Sequence, residues 1–523
     1  MEPSADALTL TLTILLLLTA RALISLFGYS GESSPPMYGD FEAQRHWMEI
    51  AVNLPPTSWY VNGPDNDLLY WGLDYPPLSA HLAWLLGCTA RIFGHAKLVA
   101  LHASRGHESP ETRAFMRHTV LACDALVFLT AAAAYSKAAT SSSTRRIALL
   151  LQISLVPALL LVDHGHFQYN CVSLGLTLWA SHFCLTNRPL LCCAAFSLAL
   201  NFKQMCLYLA PAFFCHLLAG CIRRHDTLFA KAVAVLRLGS VVIATFLVCW
   251  LPFLGSTADA LAVIRRIFPV ERHLYEDKVA NIWCTLSLIP FLKLKQSLPI
   301  PTLVRLALGT TLLALLPPCA ILLYKPSRSR FLLCGIACGL AFFLCSFQVH
   351  EKHILLPLLP ASLLAHKQPT FFAWFATISA FSLYPLLKRD GLSLPYAIGQ
   401  MGFLALLRTP LLMGGTKEES VALPLPRLAS YAMGLSLVGM LALHGLELLV
   451  TPPARYPDLH SVLFAAYSCG HFCAAYLAAI AVMVVGARPR NATVFLHTPM
   501  DGKMKRHFAF EGLEQESSSE KRR

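Results

Sequence analysis

Apolar runs long enough to cross a lipid bilayer recur from one end of this chain to the other, leaving only short polar segments in which chemistry can sit. A span needs about 20 apolar residues. Leu8–Phe27 supplies the first, and with no basic residue before it, it reads as an uncleaved span rather than a signal peptide. Charged residues make up 14% of the chain and hydrophobic ones 56%, with a mean hydropathy of +0.55. These values exclude a soluble globular domain and predict an all-α polytopic membrane protein, with the lipid bilayer as its first partner. The net charge of +13 is split among short loops rather than gathered on one face. It therefore argues for the positive-inside rule and against nucleic acid. The 17 cysteines are scattered, many inside apolar runs, as at Cys192, Cys193, Cys334 and Cys338. They read as small buried hydrophobes without metal-ligand spacing or a disulfide framework.

Spans are expected near 8–27, 116–135, 147–163, 171–186, 189–202, 205–221, 236–254, 301–324, 331–347, 354–366, 370–387, 392–413, 427–450 and 460–486, about 14 in all. Lys137, Arg145 and Arg146 assign the loop after the second span to the cytosol, which makes 28–113 a long first lumenal loop. Within it Leu78–Phe93 predicts an amphipathic helix in the interface, because His81 and Arg91 argue against full insertion. Alternation keeps Arg223, Arg224, Lys231, Arg237, Lys325, Arg328 and Arg330 cytosolic, provided that Ile282–Phe291 does not cross. That run is too short to do so and stays in a second large lumenal loop, 255–300. The scheme gives one transmembrane domain over 1–487, cytosolic termini and a polar tail, 488–523, expected to be disordered.

The same alternation places five polar clusters at extracytosolic ends of spans: Asp40 and its neighbours, His164–Asn170, Lys203-Gln204, the loop Arg265–Trp283, and Gln348–His353. A charge buried in a bilayer costs roughly 2.5–3.5 kcal/mol on insertion scales, so charges collect where water or a charged substrate meets them. The densest cluster is Tyr38–Trp47, which holds Asp40, Glu42, Arg45 and His46. On spacing alone each cluster has a plainer reading. Asp40 and Glu42 fit solvated loop acids or a metal pair, although two carboxylates make a poor cage for Mg²⁺ or Ca²⁺. His164 and His166 lack the further ligand a zinc site needs and fit structural hydrogen bonding or contact with a sugar or phosphate. Lys203 fits a snorkelling interface residue, and His350, Lys352 and His353 fit interfacial anchors.

Six segments carry a more specific signal: Tyr-Gly-Asp-Phe-Glu-Ala-Gln-Arg-His-Trp-Met-Glu at 38–49, Tyr-Trp-Gly-Leu-Asp-Tyr-Pro-Pro-Leu at 70–78, Asp-His-Gly-His-Phe-Gln-Tyr-Asn at 163–170, Phe-Lys-Gln-Met at 202–205, Glu-Asp-Lys-Val-Ala-Asn-Ile-Trp-Cys at 276–284 and Phe-Gln-Val-His-Glu-Lys at 347–352. Together, across nearly the whole chain, they resemble the endoplasmic-reticulum glucosyltransferases of asparagine-linked glycosylation. The residues on either side of Asp-Phe-Glu match the member that adds the first glucose better than the sister that adds the second. The resemblance implies a GT-C fold and an inverting transfer of glucose from dolichyl phosphate glucose to a lipid-linked oligosaccharide in the lumenal leaflet. It implies Asp40 as the base and His350, with Lys352, Lys203 and Arg272, at the donor phosphate. Glu42, Arg45, His46, Asp74, His164, His166, Gln168, Asn170 and Trp283 would bind substrate or organise the loop. It implies no metal and no cofactor. A metal-dependent GT-C transferase and a polyprenyl-phosphate transporter are the competing classes; no internal repeat of the kind transporters use is evident.

Overall fold

The computed structural model describes residues 5–268, 278–288, 298–409 and 427–485. Arg272 and the tail 488–523 lie outside them. The described residues up to Val484 form one compact unit. The stretches expected to span are helical over their described residues, and no β-strand occurs among the described residues, where an isolated bridge joins Gly63 and Asn66. Helix is what apolar surroundings demand, because it satisfies each backbone N–H and C=O within its own segment.

Among the described residues eight helices are long and apolar enough to cross unaided, from Ala7–Ile24 to Leu459–Val485, and the pair Ser143–Ser154 and Pro157–Phe167, bent by 51°, passes the same test taken together. The other expected spans are shorter helices: Asn170–Leu185, Pro189–Phe202, Leu355–Leu363, Pro369–Ser382 and Ser393–Leu407. Their surroundings explain the difference. All nine residues of Leu355–Leu363 are buried in protein, so this helix need not match the hydrocarbon thickness. Leu228–Trp250 is the opposite case, with Leu236, Ile243, Leu247 and Val248 exposed as a lipid-facing surface. At the basic connections, Ser142, Thr227 and Ser327 accept hydrogen bonds from the backbone N–H groups of Arg145, Ala230 and Arg330. Their hydroxyl-rich composition therefore marks helix starts.

The first long loop is built on two helices, Asp40–Asn53 and Pro77–Ile92. Ala80, Ala83, Gly87 and Ala90 form a small-residue face on the second, and a Cβ at Gly87 would stand 2.8 Å from the Met48 carbonyl oxygen of the first. Trp84, Leu85, Ile92 and Phe93 are exposed on the same helix, an apolar surface that suits the interface. The polar groups that argue against its insertion have partners within the chain. His81 Nε2 lies 2.9 Å from the Cys249 carbonyl oxygen, and Arg91 donates to Asn53 Oδ1 at 2.6 Å.

Two features were hidden in the spacing. Arg21 of the first helix donates to Asp124 at 2.7 Å and to the Ser154 carbonyl at 3.2 Å, and His164 Nε2 lies 2.7 Å from the same Asp124 carboxylate. This pairing satisfies charge inside the bundle. The cysteines are all free thiols, but Cys319, Cys334 and Cys338 converge with their sulfurs within 4.8 Å of one another, a cluster that sequence spacing does not reveal.

Candidate active site

Asp40 opens the helix Asp40–Asn53, and the two residues before it determine where it points. Gly39 has φ 85° and ψ −160°. A Cβ there would meet Ser30 Oγ at 2.7 Å and the Gly31 nitrogen at 2.8 Å. Gly31, at φ 77°, faces the Tyr38 carbonyl oxygen so closely that a Cβ would lie 1.2 Å from it. Two backbone segments are thus in direct contact through glycine. The contact is anchored to the second motif: the Ser30 N–H donates to the His166 carbonyl at 3.0 Å, and Ser30 Oγ accepts from the Asp40 N–H at 3.2 Å. Phe41, buried, packs between Tyr29 and Phe167 with ring centroids 4.3 and 4.8 Å away.

Three side chains converge on one oxygen of the Asp40 carboxylate. Lys352 Nζ donates to Oδ2 at 2.5 Å, Gln168 Nε2 donates to it as well, and His166 Nε2 lies 3.0 Å away. Among the described residues Oδ1 has no hydrogen-bond partner, and the side chain is 21% exposed. Burial alone would raise this carboxyl, but the Lys352 charge and His166 together hold it well below the usual carboxylate range. The helix N-terminus favours the same anion. Lys352 does not snorkel: its side chain is 11% exposed. Burial works against its charge, but Asp40 and Glu351 keep the ammonium above its ordinary value.

The remaining predicted residues divide by neighbourhood. Lys203 Nζ donates to Asn170 Oδ1 at 2.6 Å, lies 4.8 Å from the Tyr75 ring centre, and is pulled down to about 8, first by burial and then by the Lys352 charge. Asn170 in turn donates to Asp163 at 2.8 Å. The backbone around Asp74 is clamped, with Gln204 donating to the Asp74 carbonyl at 3.1 Å and Arg266 to the Leu73 and Gly72 carbonyls at 3.0 and 2.8 Å. His350, half-buried, lies with Nδ1 2.8 Å from Glu351 Oε2, in the same turn as Lys352.

Glu42, Arg45 and His46 lie away from the Asp40 carboxylate, in a buried network. Arg45 donates to Glu42 at 2.6 and 2.7 Å, to Glu49 at 2.7 Å and to the Leu98 carbonyl at 2.9 Å, while Tyr70 donates to Glu42 at 2.8 Å. Burial would raise the Glu49 carboxyl, but His46 and Arg45 hold it down at about 2. His164 belongs to the Asp124 pairing, and Trp283 is buried with its indole N–H on the Cys345 carbonyl at 2.8 Å. The geometry therefore groups Asp40, His166, Gln168 and Lys352, with Lys203 and Asn170 beside them.

Sequence reasoning missed Asp390, whose Oδ2 lies 2.5 Å from His166 Nδ1. A signal was present, since Lys388-Arg389-Asp390 closes the run 370–387 on the same side as the other polar clusters. Beside it opens a cavity of about 660 Å³ lined by Glu351, Tyr384, Lys388, Arg389, Glu447 and Asp458, among others. Glu351 and Arg389 are the chain neighbours of Lys352 and Asp390, so the cavity adjoins the carboxylate cluster.

Residues 10–478 match the ALG6, ALG8 glycosyltransferase family. The chain belongs to that family. The ALG6, ALG8 match spans all the segments that meet at Asp40. Among the chain's relatives is a Gallus gallus protein named dolichyl pyrophosphate Man9GlcNAc2 alpha-1,3-glucosyltransferase, 43% identical over 482 residues that cover 88% of this chain and 94% of the relative. A Rattus norvegicus protein of the same name is 45% identical over 481 residues, with the same coverage. For an ALG6, ALG8 protein the polytopic helical fold and the membrane setting follow directly.

Proposed function

We propose that this protein transfers the first glucose of the asparagine-linked glycan precursor, from dolichyl phosphate glucose to Man9GlcNAc2-pyrophosphate-dolichol, forming an alpha-1,3 bond with inversion at the lumenal face of the endoplasmic reticulum. The observation that carries this reading is the Asp40 carboxylate, anionic, held through Oδ2 and with Oδ1 unengaged among the described residues. The relatives support the substrate class, since both are named dolichyl pyrophosphate Man9GlcNAc2 alpha-1,3-glucosyltransferase.

Inversion in one displacement needs a single base. Oδ1 of Asp40 takes the proton of the acceptor hydroxyl, the hydroxyl oxygen bonds to the glucose anomeric carbon, and the bond from that carbon to the phosphate oxygen breaks with its electron pair going to dolichyl phosphate. A phosphate leaves as an anion and needs charge stabilisation more than protonation. His350, on the same turn as Lys352, serves that phosphate, with Lys203 and, by the resemblance alone, Arg272 as the next candidates. Lys352 keeps the base ionised. Its ammonium has three donors, so its bond to Asp40 does not preclude contact with the phosphate. Glu42, Arg45, His46 and Asp74 organise the loop that carries the base, and no metal enters the step.

Purified protein with synthetic dolichyl phosphate glucose and defined lipid-linked acceptors tests this. Asp40→Asn keeps the shape and removes the base, so transfer falls by about 10²–10⁴ while donor binding persists. Near-wild-type turnover would overturn the assignment.

A further inference from the structure

Asp390 reaches the carboxylate cluster from 224 residues beyond His166. It caps the short helix Tyr384–Arg389 and is buried, 9% exposed. Its position is built rather than incidental. Gly391, at φ 73°, donates its N–H to the Lys388 carbonyl at 3.0 Å, and the Leu392 N–H donates to Leu387 at 2.9 Å, closing the helix in a tight turn. Two glycines of the site's own segments admit that turn. A Cβ at Gly28 would stand 2.5 Å from the Asp390 carbonyl oxygen, and one at Gly165 would stand 2.8 Å from the Leu392 side chain.

What the turn delivers is a second carboxylate on the far side of one imidazole. His166, 1% exposed, has Nδ1 at 2.5 Å from Asp390 Oδ2 and Nε2 at 3.0 Å from Asp40 Oδ2. A ring protonated on both nitrogens donates to both carboxylates. A ring protonated once donates to Asp390 through Nδ1 and accepts at Nε2 from Lys352 Nζ, 3.1 Å away, so its link to Asp40 Oδ2 then runs through the Lys352 ammonium that donates to both. In both states Asp390 holds the Nδ1 hydrogen and with it the plane of the ring. Without that acceptor nothing anchors Nδ1, the ring is free to turn, and Asp40 Oδ2 loses the fixed position of one of its three neighbours.

Resting on the reading of Asp40 as the base, we propose that Asp390 is a positioning residue for glucosyl transfer: acting through His166, it holds Asp40 Oδ2 so that Oδ1 faces the acceptor hydroxyl. Asp390 touches no reacting atom and takes no proton. The proton of the acceptor hydroxyl goes to Asp40, and the electron pair of the broken anomeric bond goes to dolichyl phosphate.

The test uses the full-length protein in detergent, with both substrates varied. Asp390→Asn lowers kcat by about 10- to 10³-fold, the scale of a base slightly misaimed, while KM for dolichyl phosphate glucose and for the lipid-linked acceptor each stay within about twofold. Asp390→Glu, which restores a carboxylate, recovers part of kcat. Asp390→Asn combined with His166→Gln is no slower than His166→Gln alone, because residues acting through one another are non-additive. An unchanged kcat, a loss confined to KM, or a double variant whose losses multiply would each overturn the proposal. Should Asp390→Asn fail to elute as a monodisperse peak, Asp390→Glu alone decides, with wild-type kcat and a tolerated longer reach counting against the assignment. Asp40→Asn in the same assay separates the two readings: an active Asp40→Asn refutes the base itself, whereas an inactive one beside a fully active Asp390→Asn refutes only the role given to Asp390.

Discussion

Gly39→Ala asks whether the turn before Asp40 aims the base. The native backbone, φ 85° and ψ −160°, lies in a region that only glycine occupies readily, so any side chain there is strained by about 1–3 kcal/mol. The added methyl would also stand 2.8 Å from the Gly31 nitrogen and 2.8 Å from the Ser30 carbonyl carbon, both backbone atoms that cannot swing away. Ordinary contact begins at 3.4 Å, so the segments must part by about 0.6 Å, and such overpacking adds about 1–3 kcal/mol. The strain falls on the peptide that carries Asp40 and on Ser30, which accepts the Asp40 N–H. A displacement approaching 1 Å at a reacting group costs about 10²-fold in rate. The expected result is a melting temperature several degrees lower in detergent and a kcat down by about 10²-fold at a temperature where the variant is still folded. Gly63→Ala serves as the control, because a Cβ there meets nothing within 4 Å. If Gly39→Ala turned over like wild type while remaining folded, the contact between Tyr38-Gly39 and Ser30-Gly31 would not be what positions the base.

In Lys352→Met the cation that opposes burial at Asp40 is gone, so the carboxyl rises; because a base is lost as pH falls through its own pKa, the variant acquires an acid limb nearer neutrality, and superimposable pH–rate profiles would count against the pairing. Glu49→Gln leaves Arg45 with one buried carboxylate instead of two, and thermal or denaturant unfolding should show a loss of about 3–5 kcal/mol. The Glu49 carboxyl is depressed, so its contribution to stability is complete above the ordinary glutamate pKa and is lost as pH falls toward about 2; stability independent of pH across that window would contradict the network. Chelation should leave transfer intact, since Asp40 Oδ2 is engaged by an ammonium, an amide and an imidazole rather than by further carboxylates; activity that vanished with chelator and returned with Mg²⁺ or Mn²⁺ would favour a metal-dependent transferase.

The sequence by itself determined the class of molecule and the supply of polar groups. Apolar runs of bilayer length leave the backbone no partner but itself, so helices follow at every such run, and the charges excluded from them collect at the ends, where Asp40, His166, Lys203 and Lys352 were already visible. What it could not determine is which neighbour each group meets. His164 and His166 are two residues apart and read alike, yet residues at that spacing do not share a helix face, so one pairs with Asp124 and the other with Asp40 and Asp390. Arg45 and Asp40 share one helix, but Arg45 turns to Glu42, Glu49 and the Leu98 carbonyl, contacts decided by how a distant loop folds over it. Lys352 looked like an anchor for the interface until packing buried it against Asp40. The count of full-length crossings shows the same division. Hydropathy identifies an apolar helix, but only its neighbours decide whether it faces lipid and must span the hydrocarbon, or faces protein, as Leu355–Leu363 does, and can be short. Asp390 is the clearest case, because a carboxylate 224 positions from its imidazole partner carries no local mark of the pairing, and only the tertiary approach permitted by Gly28 and Gly165 brings them together.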